Sequence, residues 1–306
     1  MPTLPPLPGL PSLRAALALS LCWALFDAAP AGAADFITVE DECNGRQLLI
    51  RGAIEPGDHE RFANRLARLV AGGDLPDVQD PDVLWTVKLD SPGGDPDEAM
   101  RIGRLLRAAF ATTEVGYRYA RRPDGVWDFK RSGELVCLDG EDRLSGCHQD
   151  IVEAECTGAC VLVWLAGAER HANEGRIGLH GLAGTGAPLR DYLIEMGVAP
   201  EWIDRLLDPP PSGSGWLRWT DRHELAGRAR SLEQLVADCP PPLSRDESYQ
   251  SVVAPDAEVR DALMARAEAH RSCRRTRLAA ARADTLARLA GRLEHDVRAA
   301  VSQRGD

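Results

Sequence analysis

The sequence predicts an α/β fold with a largely parallel sheet, because short apolar runs alternate with amphipathic stretches in its first half. Residues 48–54 (LLIRGAI) and 84–90 (LWTVKLD) are predicted strands. Residues 56–71 and 95–109 carry apolar side chains at helical spacing, and a third strand is predicted at 112–117. The resulting order βαβαβ is typical of parallel strands joined by helical crossovers.

The second half of the chain resumes this alternation after an interruption. Residues 118–152 are rich in charge and predict a surface insertion. The apolar run 159–168 is predicted to be buried, and 176–180 (RIGLH) to be a short strand that ends in a histidine. Two helices are predicted over 188–208, on either side of Gly197.

The C-terminal region, residues 241–306, is predicted to be a helical extension. Between Asp256 and Gln303 the chain has one glycine and no proline, which predicts one amphipathic helix or a helical hairpin. The simplest interpretation is a helix that docks on its own domain. The alternatives are a helix that forms a homo-oligomer and a helix that contacts an anionic membrane surface, since residues 255–306 carry 11 arginines against 8 acidic residues.

The first 34 residues are predicted to be a secretory signal peptide. Arg14 precedes the apolar run 15–26, and the small residues at 31–34 (AGAA) supply a cleavage site. The exported chain would begin near Asp35 and be periplasmic or secreted. An uncleaved anchor is the alternative, but the run breaks at Asp27 and is shorter than the about 20 residues of a spanning helix.

The charge of the chain argues against nucleic acid as a partner. The formal net charge is −11, whereas a surface that binds the phosphate backbone needs an excess of lysine and arginine.

Seven cysteines lie outside the predicted signal peptide, and an oxidising compartment would pair most of them and leave one over. Cys137 and Cys147 flank a polar stretch that contains glycine, which predicts a disulfide that closes a hairpin. The other two predicted pairs are Cys156–Cys160 and Cys239–Cys273. Zinc is the alternative for the spacing of Cys156 and Cys160, but no second pair of ligands stands nearby, so neither a metal nor a cofactor is predicted.

A pair of glycines follows the strand 84–90 in the stretch VKLDSPGGDPDEAMRIGRLLR. A dinucleotide-binding loop would need a third glycine, and a P-loop would need Gly-Lys-Ser/Thr; both are absent. Gly93 and Gly94 precede a predicted helix, where backbone N–H groups and the positive end of the helix dipole suit a developing negative charge. A purely structural turn would use the same residues.

Together with TGACVLVWLAGAERHANEGRIGLHG (157–181), this stretch resembles the ClpP/crotonase superfamily, specifically the exported ClpP-like proteins of bacteria. In that subgroup Ser-Pro-Gly-Gly precedes a helix, Cys-x-Ser-x-Cys leads into an apolar helix that ends Ala-Gly, and a strand ending in histidine comes next. The resemblance covers roughly residues 45–230. It implies a ClpP/crotonase-like spiral ββα core in a domain at 35–240, with the cysteine hairpin inserted at 118–152.

The resemblance also implies roles for individual residues. The N–H of Gly94, helped by its neighbour Gly93, would be one oxyanion donor, and the N–H of Ala159 the second. His180 matches the general base; a structural, hydrogen-bonded histidine at a strand end is the alternative. Gly158 stands where the family has its serine nucleophile, and it has no hydroxyl to activate.

Substitutes for the missing catalytic groups are few. Thr157 and Cys160 neighbour the nucleophile position, but their side chains are expected to point elsewhere. The family aspartate aligns with Pro210 or with Trp216, and Asp208 would serve only after a shift of the loop.

The sequence therefore predicts an exported, degenerate serine-peptidase scaffold that lacks catalysis and binds a peptide or protein partner. One alternative is an active hydrolase or peptidase that uses a non-standard nucleophile or a water activated by His180. The other is an envelope-associated oligomerisation module that acts through its C-terminal helix.

Overall fold

Strands and helices alternate along the part of the chain that the structure describes, which in this computed structural model comprises residues 33–41, 45–72, 84–121, 127–129, 131–138, 146–172, 174–179, 186–208 and 215–302. These residues belong to one unit of the chain, Ala33–Asp306. The predicted signal peptide, residues 1–34, lies outside them except for its last two residues.

The elements give a mixed α/β structure, which confirms the α/β part of the predicted fold class. The strands are β1 (Asp35–Asp41), β2 (Gly45–Arg51), β3 (Thr86–Asp90), β4 (Thr112–Glu114), β5 (Tyr119–Arg121), β6 (Trp127–Phe129), β7 (Arg131–Leu138), β8 (Gly146–Ile151), β9 (Glu155–Thr157), β10 (Glu169–His171), β11 (Arg176–Gly178) and β12 (Gly227–Arg228). The helices are α1 (Asp58–Ala71), α2 (Pro96–Ala108), α3 (Ala159–Leu165), α4 (Gly186–Glu195), α5 (Pro200–Leu207), α6 (Trp219–Leu225), α7 (Arg230–Val236), α8 (Arg245–Val253) and α9 (Ala257–Ser302).

The main sheet has six strands in the order β1-β2-β3-β4-β10-β12. Its four central strands are parallel, as predicted for β2, β3 and β4. The two edge strands, β1 and β12, pair antiparallel with their neighbours, so the sheet is mixed. The sequence patterns predict neither edge strand.

A second, small sheet continues the first and carries the candidate site. Strands β9 and β11 pair in parallel, and β9 is joined to the end of β3 through a parallel bridge between Ser91 and Cys156. The Ser91 N–H donates to the carbonyl of Glu155 at 2.7 Å, and the Thr157 N–H donates to the carbonyl of Ser91 at 3.1 Å. The loop after β3 and the strand before α3 are therefore held side by side.

The core forms where helices cover the sheet. Phe62 and Leu66 of α1 and Ile102 and Leu106 of α2 are fully buried. Every residue of α3 is buried, which explains why its sequence ACVLVWL has no polar face. Burial of each large apolar side chain contributes about 1.5–3 kcal/mol to stability.

Arg107 of α2 fixes the C-terminal end of α3. Its guanidinium donates hydrogen bonds to the carbonyls of Ala166 at 2.7 Å, Leu165 at 3.1 Å and Gly167 at 3.1 Å. Carbonyl groups in the last turn of a helix have no intrahelical donor, and a cation there also interacts favourably with the helix dipole. Burial lowers the pKa of Arg107.

The described residues of the predicted insertion include two antiparallel strand pairs, β5 with β6 and β7 with β8. Cys137 of β7 lies opposite Cys147 of β8 in the register of the second pair. The side chains of both cysteines lie outside the described part of the structure, so their disulfide stays a prediction.

The end of the chain forms the short helix α8 and then one continuous helix, α9, of 46 residues. A single helix, not a helical hairpin, is therefore found at 257–302. Leu278 and Leu289 of α9 are buried, and the helix packs on α1, α2, α7 and α8 of its own chain. The Cys239–Cys273 disulfide, which confirms a predicted pair, links α9 to the segment after α7. No helix among the described residues is long and apolar enough to cross a membrane.

Candidate functional site

The site is built around a sharp turn between β9 and α3, at Gly158. This residue has φ 53° and ψ −126°, a backbone conformation that residues with side chains rarely adopt. Its N–H donates to the carbonyl of Gly178 in β11 at 3.1 Å, and its carbonyl accepts from the N–H of Val161 at 3.0 Å. Strained turns between a strand and a helix are where hydrolases of other folds expose a nucleophile. Here the turn is present, but its central residue has no side chain.

A disulfide closes this turn. Cys156, at the middle of β9, and Cys160, in the first turn of α3, are bonded to each other and both are fully buried. The predicted pair is therefore confirmed. The hypothesis that Cys160 replaces the serine nucleophile is wrong for this state of the protein, because a sulfur in a disulfide cannot form the attacking thiolate. The same bond leaves neither sulfur as a zinc ligand.

Thr157, the other proposed substitute, is the last residue of β9 and is 5 % exposed. Its main chain is used in both sheets, since it pairs with Gly178 and its N–H binds Ser91. The structure thus holds Thr157 as a buried strand residue beside the turn.

The glycine pair after β3 packs directly on the turn at Gly158. Gly93 and Gly94 both have positive φ, 98° and 131°. A Cβ on Gly93 would lie 2.6 Å from the carbonyl oxygen of Thr157 and 3.0 Å from the nitrogen of Ala159, and a Cβ on Gly94 would overlap the carbonyl of Ile54. Both the conformation and the available space therefore require glycine. The structure brings Gly93, Gly94, Gly158 and Ala159 together, as their assignment to one site requires.

Two backbone N–H groups of this cluster have no acceptor among the described residues: those of Gly94 and Ala159. The N–H of Ile54 donates to the carbonyl of Gly93 at 2.7 Å, and the carbonyl of Ile54 accepts from the N–H of Asp95 at 2.7 Å. The N–H of the intervening Gly94 takes no part in this pair of bonds. Ala159 is the first residue of α3, where N–H groups have no intrahelical acceptor. We call Gly94, Gly158 and Ala159 the donor pocket.

The N–H of Gly93 is not a free donor. It donates to the hydroxyl of Ser91 at 3.2 Å, and Ser91 is 1 % exposed. Gly93 therefore shapes the pocket, and its neighbour Gly94 offers the donor. Sequence patterns alone miss this role of Ser91, because a serine before Pro-Gly-Gly is also typical of an ordinary turn.

The nearby N-terminus of α2 is already capped by a carboxylate side chain. The Asp95 carboxylate accepts from the N–H groups of Asp97 at 2.8 Å and Glu98 at 3.0 Å, and Pro96 has no N–H. A phosphate at this helix end would meet a carboxylate instead of free donors. The open donors lie one residue earlier, at Gly94.

The predicted general base, His180, lies outside the described residues. The two residues that precede it are described. The carbonyl of Gly178 accepts from the N–H of Gly158 at the turn, and the N–H of Leu179 donates to the carbonyl of Gly215 at 2.6 Å. Its role stays a prediction.

Among the described residues, none of the acids considered from the sequence contacts the turn. Asp208 is an exposed residue at the end of α5, Pro210 lies outside the described part of the chain, and Trp216 is stacked by the guanidinium of Arg176 at 3.9 Å. The buried Asp90 carboxylate is already bound by Arg118 at 3.0 Å and by the N–H of Glu155 at 3.2 Å. Asp90 thus joins β3, β9 and the start of the insertion. Among the described residues, no group of three His, Cys, Asp or Glu side chains is placed to hold a metal ion.

Comparison with known proteins adds one distant structural likeness. No family model and no curated protein matches the chain. A mutant of the 1510-N membrane-bound stomatin-specific protease is similar in structure, with a TM-score of 0.32 and 14% sequence identity. The match covers 61% of this chain and 82% of that one. A likeness at this level does not establish the superfamily.

Proposed function

We propose that the protein is an exported ClpP-like scaffold that binds a peptide or protein partner at the donor pocket without cleaving it. The observation that carries this proposal is the glycine at the centre of the turn, together with N–H groups on Gly94 and Ala159 that have no acceptor among the described residues. The 35–240 division of the chain and the spiral ββα core belong to the same proposal.

The pocket suits an oxygen of a peptide ligand. Paired backbone N–H groups bind carbonyl oxygens and, more strongly, the carboxylate at the C-terminus of a peptide. A hydrogen bond to a charged acceptor contributes about 1.5–3 kcal/mol. Because the Gly93 packing fixes the position of Ala159, these donors are oriented before the ligand arrives.

The described residues of the turn include no side chain that could act as the nucleophile of covalent catalysis. Gly158 has no side chain, Cys160 is in a disulfide and Thr157 is a buried strand residue. Covalent acyl transfer needs a hydroxyl or thiol within hydrogen-bond reach of a base. Binding is the part of the peptidase reaction that these groups still support.

The test measures binding and cleavage separately. Fluorescent, unstructured peptides with free and with amidated C-termini are titrated into the protein, anisotropy reports binding and mass spectrometry reports cleavage. We expect saturable binding, tighter for free C-termini, with every peptide recovered intact. Gly158→Ala adds a methyl group to the pocket and should weaken binding about tenfold.

The matched control is Gly57→Ala. Gly57 also has positive φ, 93°, but no atom lies within 4 Å of a Cβ placed there, so this variant has the same kind of backbone strain without a methyl group in the pocket. Equal losses in both variants would contradict the donor pocket as the binding site. Peptide cleavage by the wild-type protein, abolished in His180→Ala, would contradict the absence of catalysis.

A further inference from the structure

A concave site lies between α2 and α9, with α1 at one end. It is an open groove of about 390 Å³. Its charged wall consists of arginines from two helices: Arg101, Arg104, Arg288 and Arg292. We call it the arginine groove. Four arginines in one groove are unexpected in a chain whose net charge is −11.

Two of these arginines form ion pairs with carboxylates at the surface, and Arg104 also lies over the ring of Tyr192, 5.2 Å from its centroid. Arg104 binds Glu195 at 2.8 Å and Arg292 binds Glu60 at 2.9 Å, with all four side chains between 39 and 60 % exposed. Exposed ion pairs contribute little to stability, so either guanidinium can turn to a stronger acceptor in the groove.

Arg101 is held more firmly. It binds Glu98 at 2.6 Å, and the buried Glu98 carboxylate also accepts from the N–H of His59 at 2.7 Å. This pair forms a fixed side of the groove.

Arg288 has no carboxylate partner among the described residues. Its guanidinium donates to the hydroxyl of Thr285 at 3.2 Å, and Thr285 is 6 % exposed. The positive charge on α9 is therefore oriented by a neutral group and faces the two arginines of α2.

Apart from His59 and Thr285, the remaining lining of the groove is apolar. Leu289 of α9 is 3 % exposed, and Leu105 and Ala108 of α2 lie opposite and are half-buried. The groove therefore presents guanidinium groups beside a hydrocarbon surface.

We propose that the arginine groove binds a phosphate ester with an apolar substituent, either a free organic phosphate or the headgroup of an anionic lipid. A guanidinium offers a planar pair of donors that matches phosphate oxygens. A phosphate monoester or diester has oxygens on several sides and can accept from both α2 and α9, whereas a carboxylate has two oxygens in one plane. The apolar substituent packs on Leu105 and Leu289. This site does not include the donor pocket and does not depend on the function proposed for it.

The test uses the purified protein with three probes: inorganic phosphate, hexyl phosphate, and vesicles of phosphatidylglycerol or phosphatidylcholine. Calorimetry should show one hexyl phosphate bound per chain, with inorganic phosphate competing more weakly. Arg288→Gln should reduce the affinity at least tenfold, and Arg292→Gln, which changes a different guanidinium, should reduce it as well. Far-UV circular dichroism verifies that both variants fold.

The matched control is Arg277→Gln, which removes an arginine from the same helix outside the groove, where Arg277 pairs with Asp238 at 3.1 Å. Its affinity should equal that of the wild type. One outcome is that the protein sediments with phosphatidylglycerol vesicles and not with phosphatidylcholine vesicles. If Arg288→Gln loses this sedimentation and Arg277→Gln keeps it, the bound phosphate belongs to a lipid. If the protein binds hexyl phosphate and no vesicles, the ligand is a free organic phosphate. Absence of saturable binding to hexyl phosphate and to both vesicles, or equal loss in Arg277→Gln and Arg288→Gln, would overturn the proposal.

Discussion

Gly93 packs against the backbone nitrogen of Ala159, so closely that a Cβ on Gly93 would come within 3.0 Å of that atom. This contact joins the loop after β3 to the first turn of α3. It aligns the donor pocket through backbone atoms alone, and it makes the pocket sensitive to the smallest possible side chain.

We therefore expect Gly93→Ala to be strongly destabilising. The added methyl group meets backbone atoms of Thr157 and Ala159, and φ at 93 is positive, so both packing and conformation oppose the change. The free energy of unfolding in urea should fall by about 3 kcal/mol or more. In the control Gly57→Ala, which has the strain without the overlap, the fall should be about 1–2 kcal/mol. Similar values for the two variants would show that the Gly93 contact is not tight.

Gly158→Ser should place a reactive hydroxyl at the turn. The two N–H donors are present, and His180 is the predicted base, so the variant is expected to react with a fluorophosphonate probe that leaves the wild type unlabelled. Mass spectrometry of the labelled peptide locates the adduct. Gly158→Ala controls for the effect of a side chain without a hydroxyl. A folded Gly158→Ser protein that stays unlabelled would count against the assignment of this turn as a former nucleophile position.

The two disulfides found among the described residues should differ in their effect on stability. Cys239–Cys273 closes a loop with a sequence separation of 34, and Cys156–Cys160 one of 4. From loop-closure entropy, removing the first by paired alanine substitution should cost about 3–4 kcal/mol and removing the second about 2 kcal/mol. Urea unfolding of the two double variants checks the order. The reverse order would mean that the short bridge stabilises the turn by more than its effect on the unfolded chain.

Glu247 is expected to titrate in strong acid. Its hydrogen bond with Arg266 and the capping-box bonds with Ser244 lower the pKa of this carboxyl to about 2. Because the folded pKa lies below the unfolded one, the stabilisation is complete above about pH 4.5 and is lost as the pH falls towards 2. Carbon NMR of the Glu247 carboxyl measures the pKa, and Arg266→Gln should raise it. A wild-type value near 4.5 would show that the α8–α9 contact does not form in solution.

Much of the parallel core follows from local sequence. The alternation around 48–109 predicts β2, α1, β3 and α2 because each presents a regular apolar pattern to one core. The edge strand β1 is missed, since only Val39 among its described side chains is fully buried. In the insertion, the hairpin of β7 and β8 is predicted from Cys137 and Cys147, whereas β5 and β6 are missed because charge dominates that stretch.

The site follows from sequence only in part. Glycines before a helix indicate a turn, and the resemblance brings residues 93, 94, 158 and 159 into one place. The spacing of residues in the sequence cannot predict that the Ser91 hydroxyl accepts from the N–H of Gly93 or that Asp90 binds Arg118. These contacts depend on how β3 packs beside β9 and the insertion in three dimensions. It also cannot reveal the arginine groove, whose walls come from helices far apart in the chain.

The bond between Cys239 and Cys273 has a consequence for the fate of the C-terminal extension. A protease that cuts the exposed chain around α8 would not detach the last helix, because the sulfur bridge spans the nick. The two fragments would travel together until a reductant separates them. After a cut at α8, release of the whole helix thus also requires an electron donor.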